Sequence, residues 1–459
     1  MTDIIAELKA VVGEANVLTG KEALDWPSIW ETRQPCRARA VVKPGSTAEV
    51  AAVLKLCHAQ VQTVVPFGGL TNLVQACATT PDDIALSFMR MKQIEETDAA
   101  AQTMTAQAGV TMQQAQAAAD AAGLFFPIDI GASDTCEVGG FVSTNAGGSK
   151  VIRYGMTRDA VLGLEAVLAD GTVISSMNRY IKNNTGFDLK QLFIGTEGVL
   201  GVITRVVFRL AVKPVSRSVA LVACDDFPTV LNVLQRSRQL IGNSLAGFEV
   251  MWDTFYQKVT QPIGKHSSPF GQSYPVYAII ESMGSNPSLD DGLFLSALEV
   301  LFDEKLVADA VIAKSDNECD ALWAIRDEVE WLVKAAQNFD VSLRSSDVAQ
   351  YISDINRQIR ADFPNAEVAT FGHLGDNNLH ISVLVNSDSA DASERVERSI
   401  YKCLAPYKGA ISAEHGIGLE KKDYLSISRS KDEIELMRTL KATLDPRSIL
   451  NPGKVIDSA

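Results

Sequence analysis

The chain has 459 residues, of which 46% are hydrophobic and 21% are charged, and its formal net charge is −14. This length exceeds what one hydrophobic core usually supports, so we expect two domains in an ordinary globular protein. The acidic balance and the lack of any Lys/Arg run argue against nucleic-acid binding, which needs a basic surface. An anionic substrate would need a locally positive pocket, so single arginines become informative.

The cysteines and the N-terminus bear on location. The 7 cysteines are scattered and form no CxxC pair, which favours reduced thiols in the cytosol. The first residues lack the basic and apolar regions of a signal peptide, and no window offers the ~20 apolar residues of a membrane span. We expect a cytoplasmic protein, either free or peripheral to a membrane, and a homodimer stays open.

Short helices and strands alternate in the first part of the chain. Apolar residues at helical spacing predict a helix over 46–58, and an Ala/Gln-rich helix is predicted at about 112–121. The segment 94–173 is otherwise mostly strand and turn. Within it, Asp170-Gly171 is a strong hairpin signal.

The pattern changes near Lys213-Pro214. Strand-like and helical segments then alternate, with strands at 218–224, 275–283, 305–313, 368–371 and 379–385, and helices at about 226–241, 289–303, 317–337 and 347–361. A capped helix follows from 430. The pattern predicts an α+β chain in three parts: residues 1–213, an antiparallel-sheet domain over 214–424, and a C-terminal segment, 425–459, that returns to the first part.

Glycine is concentrated at Gly68-Gly69, Gly139-Gly140, Gly147-Gly148 and in the set Gly195, Gly198 and Gly201. The last set lacks the GxGxxG spacing at the start of a βαβ unit, which argues against NAD binding of the Rossmann kind. A strand that ends in a Gly-Gly loop can present consecutive N–H groups to a pyrophosphate. Taken alone, Gly68-Gly69 fits a simple turn equally well.

Five segments occur in a fixed order: Pro66-Phe-Gly-Gly-Leu-Thr-Asn-Leu73, Pro127-Ile-Asp-Ile-Gly-Ala132, Gly139-Gly-Phe-Val-Ser-Thr-Asn-Ala-Gly-Gly148, Arg153-Tyr-Gly155 and Lys182-Asn-Asn-Thr-Gly-Phe-Asp-Leu-Lys-Gln-Leu-Phe-Ile-Gly-Thr-Glu-Gly-Val-Leu-Gly-Val-Ile-Thr204. Together they resemble the flavoenzymes of the vanillyl-alcohol oxidase/p-cresol methylhydroxylase superfamily, in particular the D-lactate and D-2-hydroxyglutarate dehydrogenases. The likeness runs from about residue 25 to 454.

The resemblance implies that 1–213 is a two-subdomain FAD-binding domain of the p-cresol methylhydroxylase type and that 214–424 is a substrate domain. It implies FAD contacts by Pro66, Phe67, Gly68, Gly69, Leu70, Thr71 and Asn72 at the pyrophosphate, Pro127, Asp129, Ala132 and Asn451 at the flavin, Gly139, Gly140, Ser143, Thr144 and Asn145 at the linker, and Glu197, Gly198 and Ile203 at the adenine end. Leu70 departs from the small or polar residue common in the family. The loop lacks the His of relatives with covalent flavin, so non-covalent FAD is expected.

The chain has 5 histidines, and three lie in the motifs Gly372-His-Leu-Gly-Asp-Asn-Asn-Leu-His380 and Ser412-Ala-Glu-His-Gly-Ile-Gly418. By spacing alone these residues fit ordinary turn and surface roles. Two imidazoles and a carboxylate nevertheless suit Zn²⁺ or another divalent ion with an open position. The motifs also resemble GHxGDGNxH and EHG of the same dehydrogenases. That likeness implies His373, His380 and Glu414 as metal ligands, with zinc the expected ion, and Asn377 replaces the family's glycine.

The resemblance also implies roles at the substrate. His415 is the expected base for the hydroxyl proton, and Asn378 is expected to hydrogen-bond the substrate. Arg326, in Leu322-Trp-Ala-Ile-Arg326, is expected to pair with the substrate carboxylate. The alternative for Arg326 is a solvated helix arginine. Together these roles predict FAD-dependent oxidation of a D-2-hydroxy acid.

The distal part of the substrate is less defined. Relatives that use 2-hydroxyglutarate have a Thr where Glu330 stands and a Lys near Asn338. A glutamate there would repel a second carboxylate unless a cation such as Arg344 compensates. A D-lactate-like acid, or one with a polar or cationic tail, is therefore favoured over D-2-hydroxyglutarate.

Several alternatives stay open. The electron acceptor is a quinone, an electron-transfer flavoprotein or a cytochrome, or the chain is the flavin subunit of a complex that resembles glycolate oxidase. An oxygen-using flavin oxidase acting on an alcohol or sugar is disfavoured by the His/Glu constellation. A metal hydrolase without flavin is disfavoured by the glycine motifs.

Overall fold

The computed structural model describes residues 3–30, 33–261, 265–335, 337–387 and 389–457. The chain forms two compact units. Unit 1 comprises 1–147, 155–213 and 414–459, and unit 2 comprises 148–154 and 214–413. The three-part division with boundaries at 213/214 and 424/425 stays a prediction. In the structure the chain rejoins unit 1 at Glu414. The reason is local, because Ile417 and Gly418 already donate backbone hydrogen bonds to Glu197.

Over its described residues, unit 1 contains three sheets. In spatial order, a mixed sheet contains Val17–Thr19, Ala40–Val42, Ile84–Ser87 and Val64–Phe67, and an antiparallel sheet contains Ile94–Asp98, Thr103–Gln107, Val202–Arg209, Val161–Val167 and Val173–Ser176. A small sheet pairs Ala211–Val212 with Leu124–Phe125. The predicted hairpin at Asp170-Gly171 is confirmed, since its two strands pair antiparallel.

Unit 1 also contains helices between and beside its strands. They are Ile4–Val12, Lys21–Leu24, Thr47–Gln60, Met112–Ala121, Val138–Thr144, Thr157–Ala160, Leu425–Ser428 and Lys431–Leu444, with 3-10 turns at Glu14–Asn16, Leu189–Leu192 and Lys422–Tyr424. Thr47–Gln60 buries Val50, Val53, Leu54 and Cys57, which is the face that the sequence predicts. The Lys431–Leu444 helix begins at a Ser430/Glu433 capping box.

Unit 2 contains one antiparallel sheet, seven-stranded over the described residues. Its spatial order is Asp309–Ile312, Ser216–Cys224, Val276–Gly284, Leu245–Trp252, Glu367–His373, Asn378–Leu384 and Gln337–Ser342. The helices are Val151–Tyr154, Phe227–Ile241, Asp253–Thr260, Pro287–Asp303, Asp316–Asp327, Glu330–Ala335, Val348–Asp362 and Ala390–Leu404, with 3-10 turns at Gly242–Ser244, Ser345–Asp347, Leu374–Asp376 and Ala405–Tyr407.

One predicted helix of unit 2 is wrong in part. The expected helix at 317–337 is broken after Asp327, and Gln337–Ser342 is a strand. Cross-strand pairing to Asn378–Leu384 stabilises that strand, and its Phe339 and Val341 are buried. Among the described residues, no helix is long and apolar enough to cross a membrane.

Candidate active site

Two Gly-Gly pairs approach each other in unit 1, and we call Gly68, Gly69, Gly139 and Gly140 the glycine cradle. A Cβ on Gly68 would lie 3.4 Å from the Cα of Gly140, and one on Gly69 only 1.9 Å from the Thr135 carbonyl oxygen. A side chain at Gly69 would therefore collide with backbone. The glycines bring two segments of main chain together, as an anion-binding loop requires.

The segment around Glu197 is attached to this cradle. The Glu197 N–H donates to the Ser143 carbonyl over 2.8 Å. Gly198 has a φ of +77°, and a Cβ there would lie 3.1 Å from Cγ of Pro66. The structure thus brings together residues from three of the motifs expected at FAD.

The C-terminal segment returns to the same place. Asn451 is buried, and its Nδ2 donates to the carbonyls of Glu197 at 2.7 Å and Ala76 at 3.1 Å. Its Oδ1 has no hydrogen-bond partner among the described residues. The Glu197 carboxylate accepts from the N–H groups of Ile417 and Gly418 at 2.7 and 2.9 Å. Burial raises the pKa of Glu197, although these two donors oppose the rise.

The other residues expected at FAD have local roles in unit 1. Leu70 adopts a φ of 57° and packs in a core cluster with Val65 and Phe67, so packing supports this unusual residue. Asn72 accepts from the Ala76 N–H over 2.8 Å, while its Nδ2 is buried without a partner in the described chain. The remainder lie on the 127–132 loop, on the Val138–Thr144 helix with its cap, and on Val202–Arg209, the central strand of its sheet: Pro127, Asp129, Ala132, Thr144, Asn145 and Ile203. Thr71 lies in the loop after Leu70.

In unit 2, Glu249 joins two of the predicted site residues. Its Oε2 accepts from Nε of Arg326 over 2.8 Å, and its Oε1 lies 2.8 Å from Nδ1 of His373. Glu249 is fully buried and Arg326 is 5% exposed, so this is an interior arrangement. Burial acts to raise the pKa of Glu249, but His373 and Arg326 outweigh it and the pKa is lowered.

His373 is the last residue of the strand Glu367–His373, and His380 lies in the next strand, Asn378–Leu384. Their ring centroids are 5.3 Å apart, and one ring nitrogen of each lies within 4.8 Å of the other. Since Glu249 faces Nδ1 of His373, Nε2 is the ring nitrogen through which His373 could bind a metal ion. Nη2 of Arg326 lies 3.4 Å from the same Nε2. Asn377, which stands where the family has glycine, has a φ of 71°, a region that asparagine adopts more readily than most residues.

Asn378 lies between the two histidines in sequence and is 3% exposed. Both atoms of its side-chain amide are buried and have no partner among the described residues. A buried amide without hydrogen bonds costs free energy, which a polar ligand would recover.

The segment that leads to Glu414 and His415 is fixed on the same sheet. Asp340 pairs with His380 across neighbouring strands, and its Oδ2 accepts from the Ala413 N–H over 2.8 Å. Glu414 is the next residue in the chain and His415 follows it.

The side chains of Arg344 and Glu330 are both exposed. The Arg344 side chain is 78% exposed and pairs with Asp347 over 2.8 Å. Glu330 is 58% exposed, and its carboxylate lies 3.6 Å from Nζ of Lys265. Both are surface ion pairs, so the structure gives Arg344 no position as a buried counter-ion.

The sequence interpretation missed Glu249. It stands as a lone acid in the apolar strand Leu245–Trp252, and that interruption is the signal that would have revealed it. A second buried acid, Glu281, interrupts Val276–Gly284 and contacts Lys150 and Arg217.

Comparison with known proteins covers nearly the whole chain. Residues 38–176 match an FAD binding domain, and residues 213–455 match the C-terminal domain of FAD linked oxidases. A mitochondrial D-2-hydroxyglutarate dehydrogenase of Bos taurus is 37% identical over 99% of this chain and 83% of its own length. A Schizosaccharomyces pombe protein provisionally named a mitochondrial D-lactate dehydrogenase is 34% identical, with 93% and 83% coverage.

The fold also has solved counterparts. A structure of p-cresol methylhydroxylase with bound substrate aligns with a TM-score of 0.79 at 16% identity, covering 99% of this chain and 96% of that one. At this identity the likeness concerns the fold alone. It confirms the predicted architecture of an FAD-binding domain with an antiparallel-sheet second domain.

Proposed function

Because this chain belongs to the FAD-linked oxidase family, in the branch of the D-2-hydroxyacid dehydrogenases, we propose that it oxidises a D-2-hydroxy acid to the 2-oxo acid. The observation that carries the proposal is the buried Arg326–Glu249–His373 cluster. It holds one cation and one imidazole in fixed positions beside the unpartnered amide of Asn378.

FAD fits the residues of unit 1. The glycine cradle has no side chains that would keep a cofactor from the main chain. Two buried amide atoms, Nδ2 of Asn72 and Oδ1 of Asn451, have no hydrogen-bond partner among the described residues. The cofactor would be held without a covalent bond by the residues of these motifs. When bound, the flavin supplies the acceptor for the two electrons of the oxidation.

A divalent metal, zinc in the first instance, fits His373, His380 and Glu414. The contact of Glu249 with Nδ1 of His373 is the carboxylate–histidine arrangement that orients metal ligands. Glu414 would supply the carboxylate of a His/His/carboxylate donor set. A metal there would polarise the substrate hydroxyl.

The chain's own groups perform the remaining steps. Arg326 binds the substrate carboxylate, and Asn378 donates or accepts a hydrogen bond to orient the substrate. His415 takes the hydroxyl proton as the carbon–hydrogen bond breaks. Glu249 keeps the Arg326 guanidinium and the His373 ring from turning.

The substrate tail is proposed to be neutral, as in D-lactate or an acid with a polar tail. The sheet face that extends from His380 offers Ser382 and Asn338, joined by a 2.6 Å hydrogen bond, rather than a cation. Arg344, the candidate second cation, is exposed and paired with Asp347.

The second candidate substrate is D-2-hydroxyglutarate. It is favoured by the name of the Bos taurus relative, which shares 37% of its residues with this chain. The negative charge of Glu330 opposes a second substrate carboxylate only weakly, because the Glu330 side chain is 58% exposed and lies near Lys265. Water and ions screen repulsion at such a position.

The electron acceptor and location belong to the proposal as well. We assign a quinone, an electron-transfer flavoprotein or a cytochrome as acceptor, with the chain as a homodimer or as a subunit of a larger complex. Its place is the cytoplasm or the membrane surface, and the mitochondrial relatives make an organelle the alternative.

The proposal is tested with purified full-length protein, a dye acceptor and paired D- and L-acids. We expect turnover with D-lactate or another neutral-tailed D-2-hydroxy acid and none with the L-forms. Faster turnover with D-2-hydroxyglutarate would reverse the order of the two substrates. No turnover with any 2-hydroxy acid, in protein that carries flavin, would overturn the proposal.

A further inference from the structure

Glu137 is a buried acid of unit 1 that none of the roles above uses. It precedes the Val138–Thr144 helix and is 9% exposed. Its side chain does not cap that helix. Oε2 is buried without a hydrogen-bond partner, and no hydrogen bond to the carboxyl occurs among the described residues.

The backbone fixes Glu137 beside the glycine cradle. Its carbonyl accepts from the N–H groups of Gly140 and Phe141 at 2.9 and 3.0 Å. Its Cβ lies 3.9 Å from where a Cβ on Gly68 would be, and that position is also 3.4 Å from the Cα of Gly140. The carboxyl therefore starts from the point where the two Gly-Gly loops meet.

The surroundings favour the neutral acid. Burial raises the pKa of Glu137 to about 7, and the charge of Lys92 only partly opposes this rise. The neighbouring Cys136 stays a thiol, because burial raises its pKa to about 12. Near neutral pH the Glu137 carboxyl thus changes between a hydrogen-bond donor and an anion.

We propose that Glu137 makes FAD binding depend on protonation: the neutral acid donates a hydrogen bond to the cofactor, and the carboxylate repels the cofactor's phosphates. This inference rests on the proposed function only in taking FAD as the occupant of the glycine cradle. The affinity for FAD then falls as pH rises. An ionised side chain must take up a proton for the tight complex to form.

The experiment measures FAD binding to the stripped full-length protein by quenching of flavin fluorescence from about pH 6 to about pH 8.5. We expect Kd to rise roughly 30-fold over this range, approaching tenfold per pH unit above about pH 7. Glu137→Gln, which keeps shape and donor but cannot ionise, should bind at all pH values as the wild type does at the acid end. The control Glu22→Gln, at an exposed carboxyl, should keep the wild-type slope.

Each outcome is decisive. A Kd that stays constant with pH in the wild type, or an unchanged slope in Glu137→Gln, overturns the role of Glu137 while the dehydrogenase proposal stands. Failure of the wild type to bind FAD at any pH overturns both. A thermal melt of Glu137→Gln at about pH 6 that matches the wild type shows that a changed slope does not come from unfolding.

Discussion

Glu249 and His373 face each other on adjacent antiparallel strands, with 2.8 Å between Oε1 and Nδ1. The other oxygen of Glu249 accepts from Arg326, so one buried carboxylate fixes both an imidazole and a guanidinium. Arg326 cannot move away from Glu249 without leaving a buried charge without its counter-ion.

Glu249→Gln should therefore destabilise the protein. The amide keeps the shape but leaves Arg326 without its counter-charge, and we expect the free energy of unfolding to fall by about 3–5 kcal/mol. Urea denaturation measures this loss. Glu330→Gln, at a side chain that is 58% exposed, is the matched control and should change stability by less than about 0.5 kcal/mol. Equal losses in the two variants would contradict the role of Glu249.

Arg326→Lys should lower kcat/KM for the hydroxy acid by about 100-fold, since lysine cannot reproduce the planar fork that binds a carboxylate and Glu249 together. Steady-state kinetics with a dye acceptor provide the measurement. Arg344→Lys, at an exposed ion pair, should leave kcat/KM within about twofold. A large loss in Arg344→Lys would restore that residue as the second substrate cation.

His415→Ala should reduce kcat by about 10²–10⁴-fold, the usual contribution of a positioned base, while the flavin spectrum persists. His58→Ala is the control, since His58 lies in the Thr47–Gln60 helix of unit 1 and should leave kcat unchanged. Normal turnover in His415→Ala would remove it from the mechanism.

Chelation should abolish activity without releasing FAD, because the metal and flavin are assigned to different residues. Dialysis against a chelator, followed by titration with Zn²⁺ or Mn²⁺, tests this, with flavin absorbance recorded throughout. His380→Ala should behave as the chelated protein does and should not recover with added metal. Chelator-resistant turnover in protein shown to be metal-free would contradict the metal assignment.

The sequence predicts the regular parts of the fold because local patterns carry them. Thr47–Gln60 is visible from its apolar face, and Val161–Val167 with Val173–Ser176 from the Asp170-Gly171 turn. The strand Gln337–Ser342 escapes prediction because pairing with Asn378–Leu384, which is distant in sequence, decides its conformation.

The candidate site is likewise predictable from the sequence only in part. Motif residues such as His373 and Arg326 can be identified from their segments. Glu249 reaches His373 through strand pairing and Arg326 through packing of the Asp316–Asp327 helix, and both contacts join segments that are distant in sequence. The role of Arg344 at the substrate stays a prediction. Its charge made it a candidate counter-ion, yet Asp347, three residues later, pairs with it at the surface.

The central claim is FAD-dependent oxidation of a D-2-hydroxy acid, and an anaerobic single-turnover experiment tests it most directly. Purified flavin-loaded protein is mixed with a D-2-hydroxy acid without any electron acceptor, and the visible flavin absorbance is followed. The account predicts bleaching by the D-acid in proportion to 2-oxo acid formed, and none by the L-acid. An absorbance that stays oxidised with every D-2-hydroxy acid would contradict it.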